Sequence, residues 1–514
     1  MSTVKRLISG SAASWVRIAV TMVTQLALVP VYLSHWSVEL YGVWIAIQAL
    51  VNILTTLDRG FLDYLEYEFL KIGTNNRKET GDYLWSGLLV ILIAGIIEML
   101  VITAFSLSPI LISFLNEGKS ESQELWTQAG YVLVMQCISW FFCYNITGLF
   151  FRALSAFGYF PRLSWWNVAV STVASVAPVL AVINGASLLT AGIWATMGMI
   201  IITVPQYFDI YKLLKKECIP NTKGRLKIGM QNYIKSLALS GRYFLENFRQ
   251  QGVRLILAPL SGAAGLASFA TMRTGANVAL QGLTTITNPL MPELMRFLNQ
   301  KAQQKTEAAF GTVWLVLVGG LAPAVVLLQA IAPPLFTIWT KGQIDFNPLL
   351  FASLSLGVLV YALAQPAIAV VVGNNLLKSQ MIVSIASSLT VLCSLLILVP
   401  LLNMLGAGIG LLIAEIIAAA GFRKYAKKWL EQNSLYWPSE PAKIASISVW
   451  VSASGMLLMI YLPAIKYVVL ILTVVTLFWN VRRYWKNMPR IAKDKVASIS
   501  ARLFFLKKLK LAVH

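Results

Sequence analysis

Between about residue 11 and residue 481 the chain is a succession of apolar stretches, each close to 20 residues long, separated by short polar connections. About 20 apolar residues in a helix match the thickness of a bilayer's hydrocarbon core. Inside that core every backbone amide and carbonyl must find a partner within the protein, which leaves helices and closed barrels as the only spanning structures. Stretches of this length read as helices. The predicted fold is an all-α polytopic membrane protein of about 14 transmembrane helices, at roughly 11–33, 39–57, 84–106, 126–151, 163–183, 188–211, 237–260, 264–287, 308–334, 347–372, 379–400, 406–422, 443–462 and 465–481.

Charge supports the same reading. Only 12% of the residues are charged and 57% are hydrophobic, against about 25% charged in soluble domains. A net charge of +21 invites a nucleic-acid partner, but its distribution argues against one. With the first segment end taken as inside, 34 of the 42 Lys and Arg fall in or beside inner segments. Lys119, Lys341 and Lys466 fall outside, and Arg17, Arg242, Arg249, Arg254 and Arg273 fall within spans. This is the positive-inside pattern, and it places both termini in the cytoplasm with no nucleic acid involved. The basic N-terminus runs into an apolar stretch with no small-residue cleavage site, so the first span is expected to be retained rather than removed as a signal peptide. Cys137, Cys143, Cys218 and Cys393 show neither metal-site nor disulfide spacing. Trp36, Trp85, Trp126, Trp339 and Trp485 fall near span ends, where an aromatic belt is expected.

The long basic connection between spans six and seven divides the chain. The expected domains are an N-lobe of six helices (1–215), a basic cytoplasmic linker (216–236), a C-lobe of six helices (237–425), a helix pair (426–487) and a basic tail (488–514) suited to the anionic inner leaflet. The longest outer connection, about 107–125, carries Glu117, Glu121 and Glu124. A shift of 225 residues carries Arg17 onto Arg242, Gln25 onto Gln250 and Asn52 onto Asn277, each a polar residue inside an apolar span. Six spans is an even number, so the lobes are expected to share orientation about a pseudo-two-fold axis along the membrane normal.

The polar residues within spans fall in stripes at helical spacing: Arg17, Thr21, Thr24 and Gln25; Trp44, Gln48, Asn52 and Thr55; Arg242, Glu246 and Arg249 with Gln250; Arg273, Asn277, Gln281, Thr284 and Asn288. Each stripe gives one polar face on an otherwise apolar helix. The readings are a polar cavity between lobes or helix-to-helix hydrogen bonding. The arginines distinguish these. Arg17 and Arg242 lie within two turns of the inner surface and Arg254 near the outer one, within snorkelling reach. Arg249 and Arg273 lie deeper, where a charge costs about 2.5–3.5 kcal/mol unless it faces a bundle interior or water. They are expected to line a cavity holding an anion. Glu246, four residues after Arg242 and three before Arg249, has the spacing of an intrahelical ion pair. Glu98, Glu246 and Glu415 are the acidic residues within spans and the candidates for binding a coupling proton or cation.

Enzyme readings find little support. The two histidines are His35 and His514, and no Walker or HExxH motif is present. No extramembrane segment is large enough to house a catalytic domain, and no re-entrant filter of a channel is visible.

Three segments carry a family resemblance: LYGVW at 40–44, LDRG at 57–60, and GLASFATMRTGANVALQGLTTITNPLMPELMRF, with Asn288-Pro289 and Pro292-Glu293 at its proline-bearing end. In these the chain resembles the Wzx-type polysaccharide flippases of the multidrug/oligosaccharidyl-lipid/polysaccharide exporter superfamily. The last helix pair is also found in the related lipid II flippases. The resemblance implies two six-helix lobes around a cationic cavity that passes a polyprenyl-diphosphate-linked oligosaccharide from inner to outer leaflet by alternating access. It implies no cofactor, with a proton or sodium gradient as the energy source. It further implies a monomer in the bacterial inner membrane, in contact with membrane lipids and working with a polysaccharide polymerase and glycosyltransferases. Substrate contacts are expected at Arg249 and Arg273, with Arg17, Arg242, Arg254, Gln25, Gln48, Asn52, Gln250, Asn277 and Gln281 along the path. The alternatives are a lipid II-type flippase, a multidrug exporter of the same fold, and a membrane-embedded glycan polymerase or transferase.

Overall fold

The structure is a computed structural model describing residues 3–109, 111, 123–489 and 493, with side chains throughout except at 3–15, 57, 123, 249, 279 and 281–293. Most of the outer 107–125 connection and the basic tail therefore lie outside the described residues.

Among the described residues the secondary structure is helical, with no strand. The helices are α1 (Thr3–His35), α2 (Val38–Leu54), α3 (Thr56–Ile72), α4 (Arg77–Ser106), α5 (Gln123–Trp140), α6 (Thr147–Ser155), α7 (Phe160–Ile183), α8 (Leu188–Lys216), α9 (Leu226–Asn247), α10 (Val253–Asn299), α11 (Gln303–Val316), α12 (Ala322–Trp339), α13 (Pro348–Gly373), α14 (Leu377–Leu402), α15 (Met404–Gln432), α16 (Ser439–Tyr461) and α17 (Lys466–Asn487). Short π-helical turns join α5 to α6 (Phe141–Ile146), α9 to α10 (Phe248–Gly252) and α11 to α12 (Leu317–Leu321). Such turns insert one residue into the helical ladder and rotate the next helix about its axis.

Local sequence accounts for the helix starts. Ser37, Asn76, Ser187 and Asn347 each accept a hydrogen bond from the backbone amide three residues on, at 3.2, 3.2, 3.4 and 3.0 Å. Pro348 then supplies a first helical position that needs no amide donor. Among the described residues twelve helices are long and apolar enough to cross a membrane, and α2 with α3, bent by 41°, pass the same test together. One of the twelve, running from Leu226 to Val278, is broken at Gly262, whose φ of 75° no β-carbon-bearing residue adopts readily. The break falls between expected spans seven and eight, so separating the run there gives fourteen crossings. Lipid-facing surfaces are apolar, with Leu100, Val101, Trp450, Ile471 and Trp479 all exposed. The chain is a multi-pass membrane protein.

Two compact units divide the chain. The first comprises Met1–Thr271, Ile338–Asp345 and Leu395–Met404, and the second Met272–Thr337, Phe346–Ser394 and Leu405–His514. In the first, α9 lies along α3 and α4, α1 along α7, and α7 along α8. Its core gathers Phe61, Leu65, Phe69, Leu84, Ile91, Phe141, Leu149 and Phe150. In the second, α16 packs on α17 and α13. There Phe310, Trp314 and Trp437 form an aromatic trio with centroids 5.6–5.9 Å apart, and the Trp314 indole donates to the Leu363 carbonyl at 2.9 Å.

The aromatic-belt expectation needs correction at several tryptophans. Trp36 and Trp126 are buried, 6% and 0% exposed. Trp36 donates to the Ala186 carbonyl, Trp85 to Pro220 and Trp339 to Leu26, at 2.9, 3.1 and 2.6 Å. These three indoles tie one segment to another, whereas the buried Trp126 indole N–H has no hydrogen-bond partner among the described residues.

Candidate functional site

The LDRG segment builds one wall of the site. Successive residues on a helix point about 100° apart, and the three residues after Leu57 meet three different environments. Asp58 turns inward and is 4% exposed. Arg59 faces a cavity, with its side chain 64% exposed. Gly60 faces α9 so closely that a β-carbon would lie 2.4 Å from the Ser240 backbone. Only glycine allows α3 to approach α9 this far.

The bend before this segment matters as much. Helix α2 ends at Leu54 and α3 starts at Thr56, so carbonyls at the junction lose their helical donors. The Asn52 carbonyl instead accepts from Thr56 Oγ1 at 2.7 Å, Thr55 Oγ1 at 3.3 Å and Asn247 Nδ2 at 2.6 Å. Asn247 also donates to Thr56 Oγ1. These bonds pin the end of α9 to the bend and leave a polar pocket beside it.

That pocket is a cavity of about 620 Å³ within the first unit, lined by Asn52, Thr55, Thr56, Arg59, Leu62, Trp140, Tyr144, Arg152, Arg242, Tyr243, Glu246, Asn247 and Gln250. A second cavity of about 450 Å³ shares Asn52, Thr55, Trp140 and Tyr144 with it and continues past Gln48 to Trp44 and Tyr32. There Tyr32, Trp36, Tyr41 and Trp44 pack ring to ring, with centroids 5.3–6.2 Å apart. The larger cavity presents three guanidinium groups and one carboxylate.

The guanidinium groups are held differently. Arg152 sets its fork on Asp63, with Nε at 3.1 Å and Nη2 at 2.6 Å from Oδ1, and Glu66 lies 3.8 Å from its Nε. Arg59 and Arg242 lie over the Tyr243 ring, 5.0 and 5.4 Å from its centroid, and Arg59 Nε is also 3.8 Å from Asp63 Oδ2. Two cations on one aromatic ring remain near each other, and a doubly charged anion between them would relieve the repulsion. Glu246 is exposed on the wall, and no ion pair joins it to Arg242 among the described residues.

Of the residues expected from sequence, Gln48, Asn52, Arg242, Glu246 and Gln250 line these cavities. Arg17 and Gln25 are exposed on α1. Arg254 is half-buried in the first unit, faces Tyr41 and donates to Gln251 Oε1 at 3.1 Å. Arg273 is buried in the second unit and has partners there or nearby, as has half-buried Glu415 on α15. Asn277 is half-buried on α10. Glu98 is half-buried on α4. The side chains of Arg249 and Gln281 lie outside the described residues. Sequence reasoning missed Arg59, Arg152, Tyr243 and Asn247. The first two belong by count to the inner-segment charges, and the other two fall between the helical stripes. No group of three His, Cys, Asp or Glu among the described residues is arranged to hold a metal.

Several solved structures share this architecture. The lipid II flippase MurJ in its inward closed conformation is 14% identical, covers 91% of this chain and 98% of its own, and superposes with a TM-score of 0.63. An inward-facing multidrug resistance MATE family transporter of the MOP superfamily is 13% identical over 82% of this chain and 98% of its own, with a TM-score of 0.62. The Vibrio cholerae MATE transporter VcmN in its bent form is 15% identical over 84% and 97%, with a TM-score of 0.54. The fold is that of the MOP transporters. No protein-family model and no curated protein sequence matches the chain. This chain spans 97–98% of the length of each of these three structures.

Proposed function

We propose that the chain is a flippase that carries a polyprenyl-diphosphate-linked oligosaccharide from the inner to the outer leaflet of a bacterial plasma membrane by alternating access. The observation that carries the reading is the pair of guanidinium groups, Arg59 and Arg242, on one tyrosine ring at the wall of the larger cavity, where Arg152 is already matched by Asp63 and Glu66. Phosphate is the group that planar, permanently charged forks recognise best. Tyr243, Trp140 and Tyr144 offer aromatic faces of the kind that sugar rings stack on, and Asn52, Asn247 and Gln250 offer amide partners for hydroxyls. Arg249 and Arg273 are assigned as further anion contacts, with Arg17, Arg254, Gln25, Asn277 and Gln281 along the path. The concentration of Lys and Arg on one set of loops supports cytoplasmic termini.

A multidrug exporter reading is disfavoured by the same charges, since a cationic drug at the Tyr243 ring would meet Arg59 and Arg242 already there. The direct test is translocation of a fluorescent polyprenyl-diphosphate oligosaccharide in proteoliposomes. Arg59→Ala and Arg242→Ala are each expected to slow it about tenfold to a hundredfold, the loss of one or two charge-assisted hydrogen bonds. Wild-type rates in both variants would sink the reading. A change in the covalent glycan chain would instead identify a polymerase or transferase.

A further inference from the structure

The smaller cavity of the first unit, about 450 Å³, is polar without being charged: no Asp, Glu, Lys or Arg stands among the described residues that line it. Asn52, Thr55, Trp140 and Tyr144 line both cavities and join the uncharged one to the cationic one. Beyond that boundary, α2 and α5 pack together and turn the amides of Gln48 and Gln136 to the same space, with Ser139 and Ser175 nearby. Neither glutamine side chain has a hydrogen-bond partner among the described residues. The far wall is Tyr32 and Trp44, 5% and 6% exposed and locked into the four-ring cluster at the start of α2. Tyr144, 38% exposed, is steadied by its hydroxyl, which donates to Met199 Sδ at 3.9 Å.

This wall chemistry restricts the occupant. A polyprenyl chain would strip water from both amides and give no hydrogen bond back, a costly exchange. An anion would find no cation, and an ammonium no carboxylate. A sugar ring suits the wall on both counts. Its faces carry C–H bonds, which the negative face of an aromatic ring attracts. Its rim carries hydroxyls, each both donor and acceptor, and a glutamine amide supplies one of each. The volume also falls in the range of about 300–1,000 Å³ usual for small-molecule sites.

We infer that the smaller cavity is a subsite for uncharged sugars, and that the transported glycan is neutral or N-acetylated next to its diphosphate. Gln48 and Gln136 are its specificity-determining residues, and Trp140 and Tyr144 are the stacking faces at its entrance. The inference rests on the reading that the larger cavity takes the diphosphate, and it extends that reading to the glycan. A uronic acid in the first sugar positions would bury its carboxylate away from Arg59 and Arg242, so such glycans are rejected.

Charge-matched lipids test this on the whole purified protein. Calorimetry gives affinities for farnesyl diphosphate capped on its terminal phosphate by methyl, N-acetylglucosamine, galactose or glucuronic acid. At least one neutral sugar is expected to bind about tenfold tighter than the methyl cap, and glucuronic acid no tighter than methyl. Gln48→Leu and Gln136→Leu should each cut the neutral-sugar preference about tenfold, one hydrogen bond's net contribution. Gln136→Arg should raise glucuronyl affinity about tenfold, a gain that misfolding does not mimic. Arg242→Ala should weaken all four lipids alike and leave their ratios unchanged. Equal wild-type affinities for all four caps overturn the subsite, as does an unaltered preference in both leucine variants. Glucuronyl binding as tight as the neutral sugars in wild type overturns its neutrality. Failure of every lipid to bind counts against the diphosphate cavity, and free chitobiose then decides the subsite by saturation-transfer NMR. Contact seen in wild type and lost in Gln136→Leu upholds it, and no contact in wild type overturns it.

Discussion

The two units enclose cavities of opposite character. The first unit's larger cavity mixes three arginines, a glutamate, two asparagines and a glutamine with aromatic rings. The second unit's cavity, about 350 Å³, is walled by Trp314, Leu356, Val360, Leu363 and Ala367, with further Ala and Trp from α15 and α16, and Arg423 as its charged residue. Both units come from the same apolar alphabet. The difference arises from a few positions where the first unit turns a polar residue onto a helix face and then satisfies it: Asn52 and Asn247 at the α2–α3 bend, Arg152 on Asp63, and two arginines on one tyrosine. In the second unit small residues shape the space, since Ala364, Ala367, Ala419 and Ala442 leave room without adding a polar group. A polar cavity in a membrane protein therefore depends less on composition than on where helices are broken and re-paired.

The sharpest way to break the comparison is to place the same charge in each cavity. Ala367, 1% exposed, lies on a cavity wall that is apolar except for Arg423 and Ser446. Ala367→Asp is expected to destabilise the second unit by about 3 kcal/mol, the insertion cost of an unpaired carboxylate. Thr55→Asp, beside Arg59 and Arg242 and at the start of α3, gains a helix N-cap and cationic neighbours and should stay within about 0.5 kcal/mol. Thermal unfolding in detergent, followed by loss of monodispersity, reads both. Equal losses would mean that the first cavity is no more polar in practice than the second.

Next in size is the effect of removing a guanidinium. Arg242→Ala is expected to cost about 1.5–3 kcal/mol in diphosphate affinity, and Arg423→Ala close to nothing. Arg242→Lys should recover only part of the loss, because a point charge replaces a planar fork. Binding of a soluble prenyl diphosphate measures all three, and a similar fall in Arg423→Ala would remove the distinction between the units.

Much of the fold was legible in the chain, because a bilayer permits little except helices of fixed length. Even the interruption at Gly262 fell in the interval left between two expected spans. The site was legible only where it kept to helical spacing, as at Gln48, Asn52, Arg242 and Gln250. Arg59 and Arg152 were hidden by the positive-inside pattern itself: a statistic that assigns charges to loops gives no hint of one that turns inward. Arg152 also owes its position to Asp63, 89 residues away. Asp58 stood in the LDRG segment, but the hydrogen bond it accepts from Asn145 depends on how α3 packs against the π-helical turn after α5. The buried indole of Trp36 shows the same limit, since proximity to a span end does not distinguish a headgroup contact from a tie between segments.

The smallest effect tests the re-pairing itself. Asn247 ties α9 to the bend through the Asn52 carbonyl and Thr56, at the edge of a cavity where water can replace its amide. Asn247→Ala should therefore cost about 0.5–1.5 kcal/mol. Asn480 in the second unit is 6% exposed and donates to the Ile444 carbonyl and Ser448 Oγ at 2.9 and 2.6 Å. None of the three cavities described above reaches these acceptors, so Asn480→Ala removes two buried hydrogen bonds with no water to replace them and should cost about 1–3 kcal/mol. Chemical denaturation of the two variants in the same detergent gives the ordering. The reverse order, with Asn247 the costlier, would mean that the bend is a rigid strut holding the first unit together and not a hydrated joint opening onto its cavity.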